Sequence, residues 1–144
     1  MIFVKQLGIR FLDEGLHRVL FNAMPMPVFV VDEDVRILEY NAAAARLLGS
    51  NKQAVLQRRG GEVLHCLHAI GSLEGCGQTP ACSNCQVLES VRAAAHGRPV
   101  IRQSARMELV NNGETRKVDL RISCHPFTYN RQKLILLIIE GLGD

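Results

Sequence analysis

Residues 27–49 read PVFVVDEDVRILEYNAAAARLLG, and the fold turns on how this stretch divides. Its first five residues are short, apolar and mostly β-branched, which predicts a strand over residues 27–31. Asp32, Glu33 and Asp34 follow as a turn, and residues 35–40 alternate apolar and polar side chains as a returning strand does. The three acids could be imagined as a site for a hard metal ion. Asp is favoured in turns for backbone reasons, however, and a solvated hairpin is the reading adopted. Asn41 then stands where a helix N-cap is needed, before Ala- and Leu-rich residues that Gly49 ends.

Upstream, Leu12, Leu16, Val19, Leu20 and Ala23 recur at helical spacing, with Asp13, Glu14, His17 and Arg18 between them. This predicts an amphipathic helix over residues 10–23, ended by Met24-Pro25-Met26-Pro27. Its apolar stripe suits either a dimer or signalling helix or packing on its own domain; His17 falls on the solvated side. Downstream, residues 99–110, 114–126 and 132–140 read as three consecutive antiparallel strands. Asn112-Gly113 closes the first hairpin as a type I′ turn, and Tyr129-Asn130-Arg131 closes the second.

The strand, acidic turn, strand and Asn-capped helix of residues 27–49 resemble the opening of a PAS domain, the sensory module of histidine kinases and related regulators. The three later strands, ending in LILLIIEG, are similar to the close of that domain. The resemblance implies an α+β fold: a five-stranded antiparallel PAS-like sheet with helices over one face and the N-terminal amphipathic helix outside. It divides the chain into an N-terminal helical segment, residues 1–24, and a PAS domain, residues 25–144. It further implies a bacterial sensor, a homodimer, and a signalling partner or fused output domain such as a histidine kinase. Since nothing after Gly141 could hold an output domain, the expectation is a piece of a larger sensor or a stand-alone protein acting through a partner.

The middle of the chain departs from that pattern. Four of the five cysteines fall within residues 61–97, spaced Cys66-x9-Cys76-x5-Cys82-x2-Cys85, like a PAS subgroup with a GEVLxC…GCG…CxxC insert. Thiolates are soft ligands, and four in one Gly-rich segment can hold an iron–sulfur cluster or close a tetrahedral zinc site. Metal ligation by Cys66, Cys76, Cys82 and Cys85 is therefore expected, with the cluster as first reading and zinc as the alternative. Two helix starts are open, Thr79-Pro80 and the capping box from Ser83 to Gln86, and both set Cys82 and Cys85 beside a helix N-terminus, where thiolate is favoured. That helix should run through Val87, Leu88, Val91 and Ala94 and stop near His96-Gly97. His65 and His68 flank Cys66, and either could replace a cysteine as ligand. Cys124 alternates with Val118, Leu120 and Ile122 and reads as a core thiol. His96 at a helix end and His125 before Pro126 carry no signal.

Composition limits the function. The chain of 144 residues suits one domain with a proper core, and its net charge of +3 is small. Arg58-Arg59 and Arg116-Lys117 are the only adjacent Lys/Arg pairs and lack interleaved aromatics, which argues against nucleic-acid binding. The longest aliphatic run, residues 134–139, is too short to span a bilayer, and charges at Lys5, Arg10, Asp13 and Glu14 break up a secretory core. A cytoplasmic protein is expected, where stable disulfides are rare. No hydrolytic motif is present, and the protein is read as a binding module and not an enzyme. The one enzyme reading with content is a thiol oxidoreductase using Cys82-x-x-Cys85, although no thioredoxin-like order surrounds that pair. A protein-interaction module without any ligand is the third class.

Overall fold

The computed structural model describes residues 14–48, 55–58, 66, 85–111 and 113–141. In chain order the elements are α1 (Glu14–Ala23), β1 (Val28–Val31), β2 (Ile37–Tyr40), α2 (Ala42–Leu48), α3 (Gln86–Ala95), β3 (Val100–Asn111), β4 (Glu114–Tyr129) and β5 (Gln132–Glu140). The strands form one five-stranded sheet in the order β2-β1-β5-β4-β3, with every neighbour antiparallel. The α+β expectation holds, as do the three strands of the last third. The first and last strands of the chain meet in the middle of the sheet, Val28 opposite Ile138 and Val31 opposite Ile135.

Alternation along β4 decides which face is buried. Val118, Leu120, Ile122 and Cys124 turn inward, and Asp119, Arg121 and His125 stay exposed. The inward face joins Phe29, Val31, Ile135, Leu137 and Ile139 in one core cluster. Helix α3 closes that cluster from above through Val87, Leu88, Val91, Ala94 and Ala95, which recur at helical spacing on one side.

Both hairpins of the last third turn on two residues. Gly113 has φ +81, as the second turn position of an Asn-Gly type I′ loop requires, while Asn112 lies outside the described residues. The second loop is Asn130-Arg131, with φ of +49 and +62, between the paired Tyr129 and Gln132. Two positive φ values make this a type I′ turn as well. Arg131 has a Cβ that crowds this conformation, whereas glycine adopts it freely. Arg131→Gly is therefore expected to stabilise the fold by about 0.5–1 kcal/mol, net of the extra unfolded-state entropy. The check is a higher urea midpoint at unchanged slope; a lower midpoint would count against the turn assignment.

The acidic turn between β1 and β2 is a backbone device. Asp32 Oδ1 accepts from the amides of Asp34 (2.9 Å) and Arg36 (3.0 Å), which is why a carboxylate suits this position. Val35, expected to begin the second strand, instead has φ +62, and β2 starts at Ile37. A β-branched residue rarely takes that conformation. Its side chain is only 2 % exposed within the core, so burial offsets the local strain.

Helix α1 covers the described part of the amphipathic segment, but its expected stripe is not what packs. Val19 and Leu20 are exposed, whereas Leu16 and Phe21 are half-buried. Asn41 fastens this helix to the sheet. Its Oδ1 accepts from the amides of Val28 (3.0 Å) and Ala44 (3.1 Å), the latter as a helix N-cap does. Its Nδ2 donates to the carbonyls of Met26 (3.0 Å) and Phe21 (3.2 Å). Asn22 adds a second tie, its Oδ1 accepting from the amide of Ala42 at 2.9 Å. One side chain thus joins α1, β1 and α2.

Candidate functional site

The cysteine segment meets the described structure at two points. Cys66 forms an isolated antiparallel bridge with Leu109, so its backbone lies against β3, an edge strand of the sheet. Its side chain is half-buried against the core cluster. Cys85 is the N-cap of α3, with an extended backbone (φ −70, ψ 117) and its carbonyl accepting from Glu89 N at 3.0 Å. It too is half-buried against the core.

The helix start differs from both sequence expectations. An extended Cys85 means that α3 begins at Gln86, so a helix starting at Thr79-Pro80 or Ser83 does not run unbroken into it. Cys85 consequently stands at the mouth of the helix and not on its side. The thiol makes no capping hydrogen bond, so a soft side chain fills a position usually held by an oxygen acceptor. At the other end His96 and Gly97 stop the helix where expected, with Gly97 at φ +87 and Arg98 N donating to Ala93 O at 2.9 Å.

Cys76, Cys82, His65 and His68 lie outside the described residues. Among the described residues no three His, Cys, Asp or Glu side chains gather as a metal site would need. None of Cys66, Cys85 and Cys124 forms a disulfide there. Cys124 is the core thiol its alternation predicts: 1 % exposed, and opposite Val100 on β3 and Leu137 on β5. Burial pushes its pKa from 9.0 up to about 12, because the apolar core does not solvate a thiolate. At neutral pH it is an inert thiol. His96 is exposed and donates from Nδ1 to the Arg92 carbonyl at 2.7 Å, and His125 donates to the Pro126 carbonyl at 2.9 Å. Both are local surface bonds.

Sequence reasoning missed a charged constellation at the start of β3. Arg102 pairs with Glu140 (Nε to Oε1, 3.4 Å) and Arg106 with Asp119 (Nε to Oδ1, 2.9 Å). These arginines sit on different strands from their partners, so only pairing register could have found them.

Among the described residues, a five-stranded antiparallel sheet whose first and last strands are neighbours, a helix on the core face and an Asn-capped helix after the first hairpin define an α+β domain of the PAS fold. The chain matches a PAS domain family model over residues 15–79. Solved structures share the fold. The PAS domain of nitrogen regulation protein NR(II) from Vibrio parahaemolyticus superposes with a TM-score of 0.57 at 19% identity, covering 88% of this chain and 97% of that one. The PAS domain of an HTR-like protein from Haloarcula marismortui gives 0.54 at 21% identity, covering 88% and 95%. A LOV protein from Rhodobacter sphaeroides gives 0.57 at 17% identity, covering 91% and 69%. No curated protein matches the chain. No helix among the described residues is long and apolar enough to cross a membrane.

Proposed function

We propose that this PAS domain is the input module of a cytoplasmic signalling protein, and that Cys66, Cys76, Cys82 and Cys85 hold an iron–sulfur cluster whose oxidation or loss is the signal. The observation that carries the reading is the anchoring of the segment. Cys66 and Cys85 both pack against one core cluster, one at the β3 edge and the other at the mouth of α3. A change in ligation between them would pull on a strand and a helix that share that core. The domain itself is non-catalytic and acts through a second copy of the chain or a fused output domain. In support, one protein with this fold is a sensor histidine kinase/response regulator from Geobacter sulfurreducens.

A structural zinc site is the second reading, and the same anchoring favours it. Four thiolates joining a sheet edge to a helix start would clamp the segment and contribute folding energy directly. A thiol oxidoreductase using Cys82-x-x-Cys85 has less support, because it leaves Cys66 and Cys76 without a role.

Metal analysis and an absorption spectrum on protein purified without oxygen separate these. Iron with sulfide, a broad visible band and loss of both in Cys66→Ser are expected. Stoichiometric zinc without colour would replace the redox signal with a structural clamp. If neither metal binds after reconstitution, the metal reading fails and the cysteines act as thiols.

A further inference from the structure

Arg121 on β4 stands in register with Ser104 on β3 and Glu140 on β5, and directly opposed residues share a face. Glu140 is engaged by Arg102 and Asp119 by Arg106, both through Nε. The Arg121 side chain makes neither a hydrogen bond nor an ion pair among the described residues. Among the described residues, three guanidinium groups against two carboxylates leave one positive charge in excess. Both pairings are made through Nε, and among the described residues no hydrogen bond to a carboxylate is made by the terminal guanidinium nitrogens of Arg102 and Arg106.

The backbone is bent to build this arrangement. The β3–β4 register shifts between Val100 and Gln103, and Arg102 has φ +48, with its amide donating to Ser123 Oγ at 2.9 Å. A bulge re-aims side chains, and this one sends Arg102 across β4 to Glu140 on β5. Left-handed backbone at a non-glycine residue is costly and tends to persist where it serves a site. Around these groups lies an open cavity of about 790 Å³, which Gln86 and Gln103 also line.

We infer that this cavity binds a small oxyanion, a carboxylate or phosphate group, between Arg102 and Arg121, with the Ser104 hydroxyl as an added donor. Guanidinium donors match the planar spacing of such oxygens and can bind them bidentately. The site is open to solvent, so affinity is weak, in the millimolar range. It is independent of the cysteines.

The test is amide NMR on the full chain at constant ionic strength, titrated separately with sodium phosphate, sodium succinate and sodium chloride. Saturable shifts at Arg102, Ser104 and Arg121 are expected with phosphate, succinate or both, and none with chloride. Which oxyanion saturates first identifies the ligand class. Arg121→Gln, an exposed change, should weaken binding at least tenfold, and Glu140→Gln should tighten it several-fold by removing the competing carboxylate. Shifts that chloride reproduces, or that persist unchanged in Arg121→Gln, overturn the assignment.

Discussion

Replacing Asn41 with alanine is expected to destabilise the domain by about 3 kcal/mol, a large loss for one polar side chain. Asn41 is 1 % exposed and uses both ends of its amide, accepting from Val28 N and Ala44 N and donating to Met26 O and Phe21 O. Alanine leaves all four backbone groups to find water or go without. A buried orphan donor costs about 1–3 kcal/mol, whereas the two carbonyls lie nearer solvent and are cheaper to strand. The damage should be uneven, because α1 is held to the body through Phe21 O and Asn22. Hydrogen exchange in α1 should accelerate more than in β4. Asn41→Asp keeps the acceptor but sets a carboxylate against two carbonyls; it should regain part of its stability below about pH 4, when it is protonated and can donate. Urea denaturation measures both variants. A loss under about 1 kcal/mol for the alanine variant would falsify the linchpin role.

Stability should also fall steeply in alkali on account of Cys124. Its pKa is raised from 9.0 to about 12 by burial, so the folded state keeps the proton after the unfolded chain has released it. The unfolded state then binds fewer protons, and unfolding becomes easier as pH rises. The contribution is fully present below pH 9, and is lost at about 1.4 kcal/mol per pH unit between 9.0 and about 12. Across the whole window that amounts to roughly 4 kcal/mol. Cys124→Ala lowers stability at neutral pH by vacating a buried site, but should flatten the alkaline slope. Equal slopes in the parent and the variant would assign the decline to other groups. The same burial predicts that Cys124 resists alkylation in the folded protein at a rate tracking global unfolding.

The two effects differ in kind. Asn41 joins three elements through directional bonds, so its loss loosens one corner of the domain. Cys124 lies on β4, between β5 and β3, among residues of the main core, so its ionisation is linked to unfolding as a whole.

The features legible in the sequence are local ones. Alternation along residues 118–124 chose the buried face of β4, Asn112-Gly113 set a hairpin, and Asn41 announced a helix start, because these signals rest on periodicity and on backbone preferences of single residues. The outcome at Val35 was not legible, since nothing in a β-branched residue signals positive φ; only core burial makes it tolerable. The second and larger role of Asn41 was equally hidden. Its partners Phe21, Met26 and Val28 come from segments that only the folded chain brings together. The four cysteines were legible as candidate ligands, whereas the bridge of Cys66 to Leu109 and the place of Cys85 at the mouth of α3 were not. Strand order, the central pairing of β1 with β5, and the meeting of Arg102 with Glu140 were decided by tertiary structure alone. Each depends on contacts between distant parts of the chain, and those form only where burying a shared apolar face outweighs the entropy of closing the loops between them.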